Sequence, residues 1–209
     1  MNWYHWISLI TALFACIASM YQVIRLIVTG RPTDYSVPAG KGSAGIKYAF
    51  TGAMNPLCKE SAFLHLPTYA AGLIYHLGIF LSLFLFPFIW LSVDFHLWFE
   101  LLVSGILAVS AGCGIGIFVK RIVTLTLYKL SCPEDYFANI IVTIFLISTV
   151  IALNSSSEFN AYFIIASLIF LYFPAGKLKH ALYFFAARYY LGLFFGRRGV
   201  WPPVNTKNQ

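Results

Sequence analysis

The chain has 209 residues, of which 60% are hydrophobic and only 10% charged, with a formal net charge of +7. That balance excludes an ordinary soluble domain. The apolar residues run in stretches long enough for membrane helices, not in the short alternating strands of a membrane β-barrel. The positive excess reads mainly as a topology signal, and nucleic-acid binding is a poor alternative account of it.

The first apolar stretch covers about 4–24. No positive charge precedes it and it is too long for the apolar region of a cleaved signal, so it is read as a retained helix. Residues 25–68 form the longest connection, rich in Gly, Pro, Ser and Lys, with irregular structure around a short helix as the expectation. Connections of this length are usually functional or ordered by a partner. The second and third stretches cover about 69–93 and 96–119, and a short basic loop, KRIVTLTLYKLSCPED, leads to the fourth at about 136–153. The fifth covers about 159–176. The tail, 181–209, opens with ALYFFAARYYLGLFFGRRGVWPP. It is aromatic but interrupted by Arg188 and Gly192, which suits an interfacial helix better than a sixth span. Backbone groups inside a bilayer must be satisfied within their own segment. The expected fold is therefore an all-α integral membrane bundle of five transmembrane helices, one membrane domain with a C-terminal interfacial helix.

With five spans, all fourteen Lys and Arg fall on one side, in the 1–2 loop, the 3–4 loop and the tail. The other side carries only Asp94, Glu100 and Glu158. The positive-inside rule then places the N-terminus outside and the C-terminus in the cytoplasm. The four cysteines, Cys16, Cys58, Cys113 and Cys132, form no CxxC pair. They read as apolar or free thiols, not as ligands of a protein-bound iron–sulfur cluster.

Five histidines are present. His5 and His96 sit at the outer ends of spans and read as interfacial polar residues. His76 is different: in AAGLIYHLGIFLSLFLFPF it lies about two turns into the second span, and an ionisable residue at that depth is a functional candidate. His180 follows the start of the fifth span by about 20 residues, roughly 30 Å of helix rise, which brings it near the inner face. His76 enters its helix from that face, so the two imidazoles are expected at similar depth on different helices. Such a pair suits a b-type haem, whose iron takes an axial imidazole from each side. Gly72 and Gly78 would let the ring approach the backbone, and Lys177, Lys179, Lys120 and Arg121 would meet its propionates. The alternative, that each histidine hydrogen-bonds a neighbouring helix, stays open at this point.

YHLGIF around His76, KRIVTLTLYKLSCPEDYF between spans three and four, and FPAGKLKHALYFFAARYYLG near the end resemble the gamma (cytochrome b) subunit family of respiratory nitrate reductase. The closest likeness is to its relatives in sulfate-reducer membrane complexes, those of the high-molecular-weight cytochrome c complex and of the sulfite-reduction-associated complex, and in heterodisulfide reductase. The resemblance covers spans two to five and the tail. Two-haem members carry a second histidine about ten residues after the first, and a pair eighteen residues apart in span five. Here His76 and His180 match the first and last ligands, whereas Phe86 and Tyr162 stand at the other two. The resemblance thus implies one haem b near the inner face, on His76 and His180, with the outer site deleted.

It further implies an electron-transfer subunit of a respiratory complex in a prokaryotic inner (cytoplasmic) membrane, exchanging electrons between the (mena)quinone pool and a cytoplasmic iron–sulfur subunit. Other membrane subunits or a periplasmic multihaem cytochrome c are further expected partners beside the lipid bilayer, with no nucleic acid. Such a subunit makes and breaks no bonds of its own. His65, eleven residues before His76, is a candidate quinone-site residue, and Pro67 places the start of the second helix after it. Two other classes compete. One is a haem-free quinone-binding or lipid-binding scaffold. The other is a small lipid-modifying enzyme built on Lys59–Ser61 and His65, which lacks an acidic residue to orient its histidine. A transporter is disfavoured by the lack of internal repeats.

Overall fold

The computed structural model describes residues 2–30, 34–55, 64–155 and 159–203, and among these every regular element is helical. In order they are α1 (Trp3–Thr29), α2 (Gly42–Phe50), α3 (Leu66–Trp90), α4 (Leu97–Val123), α5 (Leu125–Leu130), α6 (Pro133–Asn154), α7 (Asn160–Ala175) and α8 (His180–Arg197), with 3₁₀ turns at Gly52–Met54 and Lys177–Lys179. Cys58, Lys59–Ser61, Glu158 and, among the cations, Arg31 and Lys207 lie outside the described residues.

Helices α1, α3, α4 and α6 are each long and apolar enough to cross a membrane, and α7 with the segment Lys177–Arg197 makes a broken fifth candidate. The expected fifth span, about 159–176, is α7, and the break at Gly176 falls at its end. At 16 residues, α7 rises only ~24 Å. Pro174 has no N–H to continue the ladder, and Gly176 turns extended (φ −90°, ψ −166°) with its N–H closing on Tyr172 O at 2.7 Å. This corrects the depth assigned to His180 from a continuous helix rise: His180 opens α8 after a break and does not end the helix of span five.

The chain divides into two compact units, Met1–Ile17 with Pro67–Leu178, and Ala18–Leu66 with Lys179–Gln209. In the first, α3, α4, α6, α7 and the start of α1 share one core that includes Leu85, Leu107, Val142, Phe145, Leu146 and Tyr162, all buried. Its outer face is apolar too: Ile10, Leu77, Phe84, Leu102 and Val109 are each more than half exposed. An aqueous protein rarely shows so much exposed hydrocarbon, whereas a bilayer solvates it. The buried hydroxyls answer the same constraint. Ser148 and Thr149 donate to Phe145 O, Ser167 to Phe163 O and Thr11 to Ile7 O, so each bonds within its own helix. Between helices, Tyr75 Oη donates to Asn139 O at 3.0 Å and Ser110 Oγ to Ile74 O at 3.0 Å.

In the second unit the connection expected to be mostly irregular folds back as α2 and packs along α8. The contact is backbone on backbone. A Cβ at Gly192 would stand 2.6 Å from Ile46 Cα, one at Gly196 would stand 2.9 Å from Gly45 Cα, and one at Gly45 would collide with Gly192 O and Gly196 Cα. The spacing of Gly192 and Gly196 is the small-residue pattern that lets membrane helices approach closely. Ala39 and Gly40 N–H groups donate to Arg197 O at 2.8 and 2.9 Å, and Trp201 packs on Tyr48 and Phe195. Arg198 Nη1 holds Asp34 Oδ2 at 3.1 Å. The Asp34 carboxyl is held below its ordinary value chiefly by the Ser36 hydroxyl and N–H that donate to it, with Arg198 and Arg197 adding to the effect.

Two outcomes follow from this packing. Gly45→Val should destabilise the second unit by about 1–3 kcal/mol through overpacking. Gly112→Ala, where a Cβ meets nothing within 4 Å, should be neutral or stabilise by about 0.5–1 kcal/mol. Thermal unfolding of the full chain in detergent, with limited proteolysis of the 34–55 region, measures both. The Asp34 contribution is fully present above the ordinary carboxylate value of about 3.9 and is lost as pH falls through the lower folded value. Acid unfolding of Asp34→Asn should therefore lack that component of the wild-type profile.

Candidate functional site

His76 stands on α3 two and a half turns from its start, with its ring exposed. Its Nδ1 lies 2.7 Å from Gly72 O, one turn back. A carbonyl oxygen only accepts, so Nδ1 carries the proton and Nε2 is the basic nitrogen. A histidine that ligates a metal is held this way, with one ring nitrogen donating to a carbonyl and the other presenting its lone pair. Gly72 has open space where a Cβ would point. Gly78 is buried between helices, where a Cβ would collide with the Ser110 side chain. Its smallness serves the α3–α4 packing, not an approach to a ring.

The cations expected around a cofactor are already engaged in part. Asp135, in the first turn of α6, takes Lys177 Nζ at 2.7 Å and Arg121 Nη1 at 3.6 Å. It thus ties the end of α4 and the residue beyond α7 to the start of α6. The CPED sequence builds this point: Pro133 opens the helix, Asp135 accepts from Cys132 N–H at 3.0 Å, and the Cys132 side chain takes part in a reciprocal cap. Lys177 Nζ also lies 3.1 Å from Cys132 Sγ, and Arg121 Nη1 donates to Ser131 Oγ at 3.1 Å. Lys120 donates to Thr68 Oγ1 at the start of α3. Lys179 is the N-cap position of α8 and gives no side-chain cap bond.

At the other level of the first unit, Phe86 of α3 and Tyr162 of α7 have ring centroids 6.4 Å apart. These are the two positions that sequence analysis paired as an absent outer site, and their rings do stand side by side. Phe145 stacks on Tyr162 at 5.9 Å and Phe170 meets Phe86 edge-on at 4.8 Å. Tyr162 and Phe145 are fully buried, so this level of the bundle is filled with aromatic rings.

Two of the remaining histidines, His5 and His96, make local structural contacts. His5 is buried, not interfacial. Its ring packs on Phe163 at 4.3 Å, and its carbonyl accepts from Trp90 Nε1 at 3.0 Å. His96 is the N-cap of α4 and accepts from Trp98 N–H at 3.4 Å. His65 is exposed just ahead of α3, as Pro67 led one to expect. His180, also exposed, is the first residue of α8 in the second unit. Among the described residues no group of three or more His, Cys, Asp or Glu side chains gathers as a metal site. Asp135 is the residue that sequence reasoning missed. The CPED cap was readable locally, but Lys177, 42 residues away, carries no local signal of its partner.

The chain matches no protein-family model, no curated protein and no solved structure.

The Asp135–Lys177 pair is partly exposed, so a modest coupling is expected. A double-mutant cycle with Asp135→Asn and Lys177→Met, read by thermal unfolding in detergent, should return about 0.5–1 kcal/mol.

Proposed function

We propose that this chain is the haem b-carrying membrane subunit of a quinone-linked redox complex, with His76 and His180 as the axial ligands of a single haem. The observation that carries the reading is the His76 ring. It is exposed on an apolar helix, and its Nδ1–H is committed to Gly72 O, a backbone anchor of the kind that orients a ligating imidazole. Gly72, with open space at its Cβ position, gives the ring plane room on the same side of the helix turn.

One haem, not two, is supported by the aromatic filling around Phe86 and Tyr162. Phe86 carries no ligand atom, and the buried Phe145 packs on Tyr162 beside it. When bound, such a haem supplies one-electron transfer, and the protein sets its potential through axial ligation, burial and nearby charge. Lys177, Lys179, Lys120 and Arg121 would contribute that charge at one end of the helices. The engagement of Lys177 and Arg121 with Asp135 leaves part of their charge neutralised in the first unit.

The orientation that goes with this reading has the cationic end of α4 and the start of α6 in the cytoplasm, where an iron–sulfur partner docks, and the Asp94 and Glu100 end outside. The quinone then exchanges electrons near the inner half, with His65 as the candidate contact. The haem-free scaffold remains the alternative, and one experiment separates them.

The full chain, expressed with haem supply and purified in detergent, should show a reduced b-type absorption band at one haem per chain. His76→Ala and His180→Ala should each abolish it, while His65→Ala and Tyr162→Phe retain it. Two haems per chain, or a band that survives His76→Ala, would falsify the assignment. A folded wild-type protein with no band identifies the scaffold.

A further inference from the structure

Within the second unit a cavity of about 950 Å³ opens between the last turns of α1 and the length of α8. It sits at the upper end of the ~300–1,000 Å³ common for small-molecule sites. Its walls are hydrocarbon and aromatic, with Val23 and Ile27 on the α1 side and Phe185 and Leu193 on the α8 side. Tyr190 Oη donates to Ile27 O at 3.3 Å and bridges the two helices. One end is polar, because Asp34 follows α1 and Arg197 closes α8.

The charges at that end are unequal. Arg198 is committed: its Nη1 is 3.1 Å from Asp34 Oδ2, and its guanidinium lies 3.6 Å over the Phe194 ring. Arg197 is not. Its Nε reaches Asp34 only at 4.0 Å, beyond hydrogen-bonding distance, and that buried nitrogen has no hydrogen-bond partner among the described residues. Two guanidiniums face one carboxylate, so the polar end carries an excess positive charge beside an unmade hydrogen bond. A buried donor without an acceptor is costly, and a ligand that supplies one is favoured.

We propose that this cavity is a binding site for an anionic phospholipid, with one acyl chain along the apolar wall and the phosphate accepting from the partly exposed Arg197 guanidinium. A chain with membrane-spanning helices meets such molecules at high local concentration. The pairing of an apolar slot with an arginine at its mouth matches a lipid's own division into tail and charged head. A soluble anion would find no use for the aromatic wall, and a zwitterionic lipid would bring a second cation to an already positive end. The site uses neither His76 nor His180 and stands independently of the haem reading.

The test uses the full chain, delipidated in detergent and titrated separately with phosphatidylglycerol, phosphatidylcholine and inorganic phosphate. Thermal unfolding and native mass spectrometry follow binding. Phosphatidylglycerol should raise the unfolding temperature and remain bound at one per chain, and the other two should not. Arg197→Gln should weaken phosphatidylglycerol about tenfold, the effect of one lost charge-assisted contact. Ala186→Phe, which fills the cavity from its α8 wall, should abolish retention. An equal response to phosphatidylcholine, the same shift with inorganic phosphate alone, or undiminished binding in Arg197→Gln would each overturn the proposal. Should either variant fail to fold, the wild-type comparison of the three additives decides it.

Discussion

The long elements of this protein answer to one constraint: in an apolar medium the backbone must satisfy its polar groups within its own helix. The backbone meets it by coiling. The buried hydroxyls of Thr11, Ser148, Thr149 and Ser167 meet it by bonding to carbonyls three or four residues back. Stability in the first unit then comes from close packing, with interhelical bonds such as those of Tyr75 and Ser110 as fixed points. The same constraint explains where the chain is allowed to break. The interruption at Gly176 falls beside Lys177 and its ion pair with Asp135, where charged groups mark the end of the apolar region. A proline two residues earlier makes the break local and definite.

The cationic end does two jobs with one set of residues. Lys and Arg there read as a topology signal, and they also pin helix ends to one another through Asp135 and Thr68. In the haem reading they acquire a third task, tuning a cofactor. These roles compete for the same charges. An ion pair that holds Lys177 on Asp135 weakens the field that Lys177 exerts elsewhere, so the strength of that pair bears directly on the potential of anything bound nearby.

Much of this was legible in the sequence because the governing signals are local. The spans at 4–24 and 136–153 lie inside α1 and α6, and those at 69–93 and 96–119 match α3 and α4 to within a few residues, since length and hydropathy determine them. The N-cap of α6 is written in CPED. Legibility failed where a partner lies far along the chain. The short helix expected within 25–68 is present as α2, but nothing local says that it lies against Gly192 and Gly196 of α8. His5 looks interfacial until Phe163 covers it. The fifth span ends where its sequence says, but a helix rise carried on to His180 passes over the break at Gly176, which composition does not register. Phe86 and Tyr162, 76 residues apart, meet as rings in the bundle, a contact that no local signal writes.

The glycine contact between α2 and α8 has a consequence for the order of assembly. It joins residues near position 45 to residues near position 194, and the second unit is built from an early piece of the chain and its last thirty-one residues. During synthesis, α2 emerges with nothing to lie on, and its partner arrives only after every membrane helix has been made. The first unit, whose elements from α3 to α7 follow one another directly, is complete before that. The second unit is therefore the last part to close. A chain truncated before Gly192 leaves the glycine face of α2 uncovered.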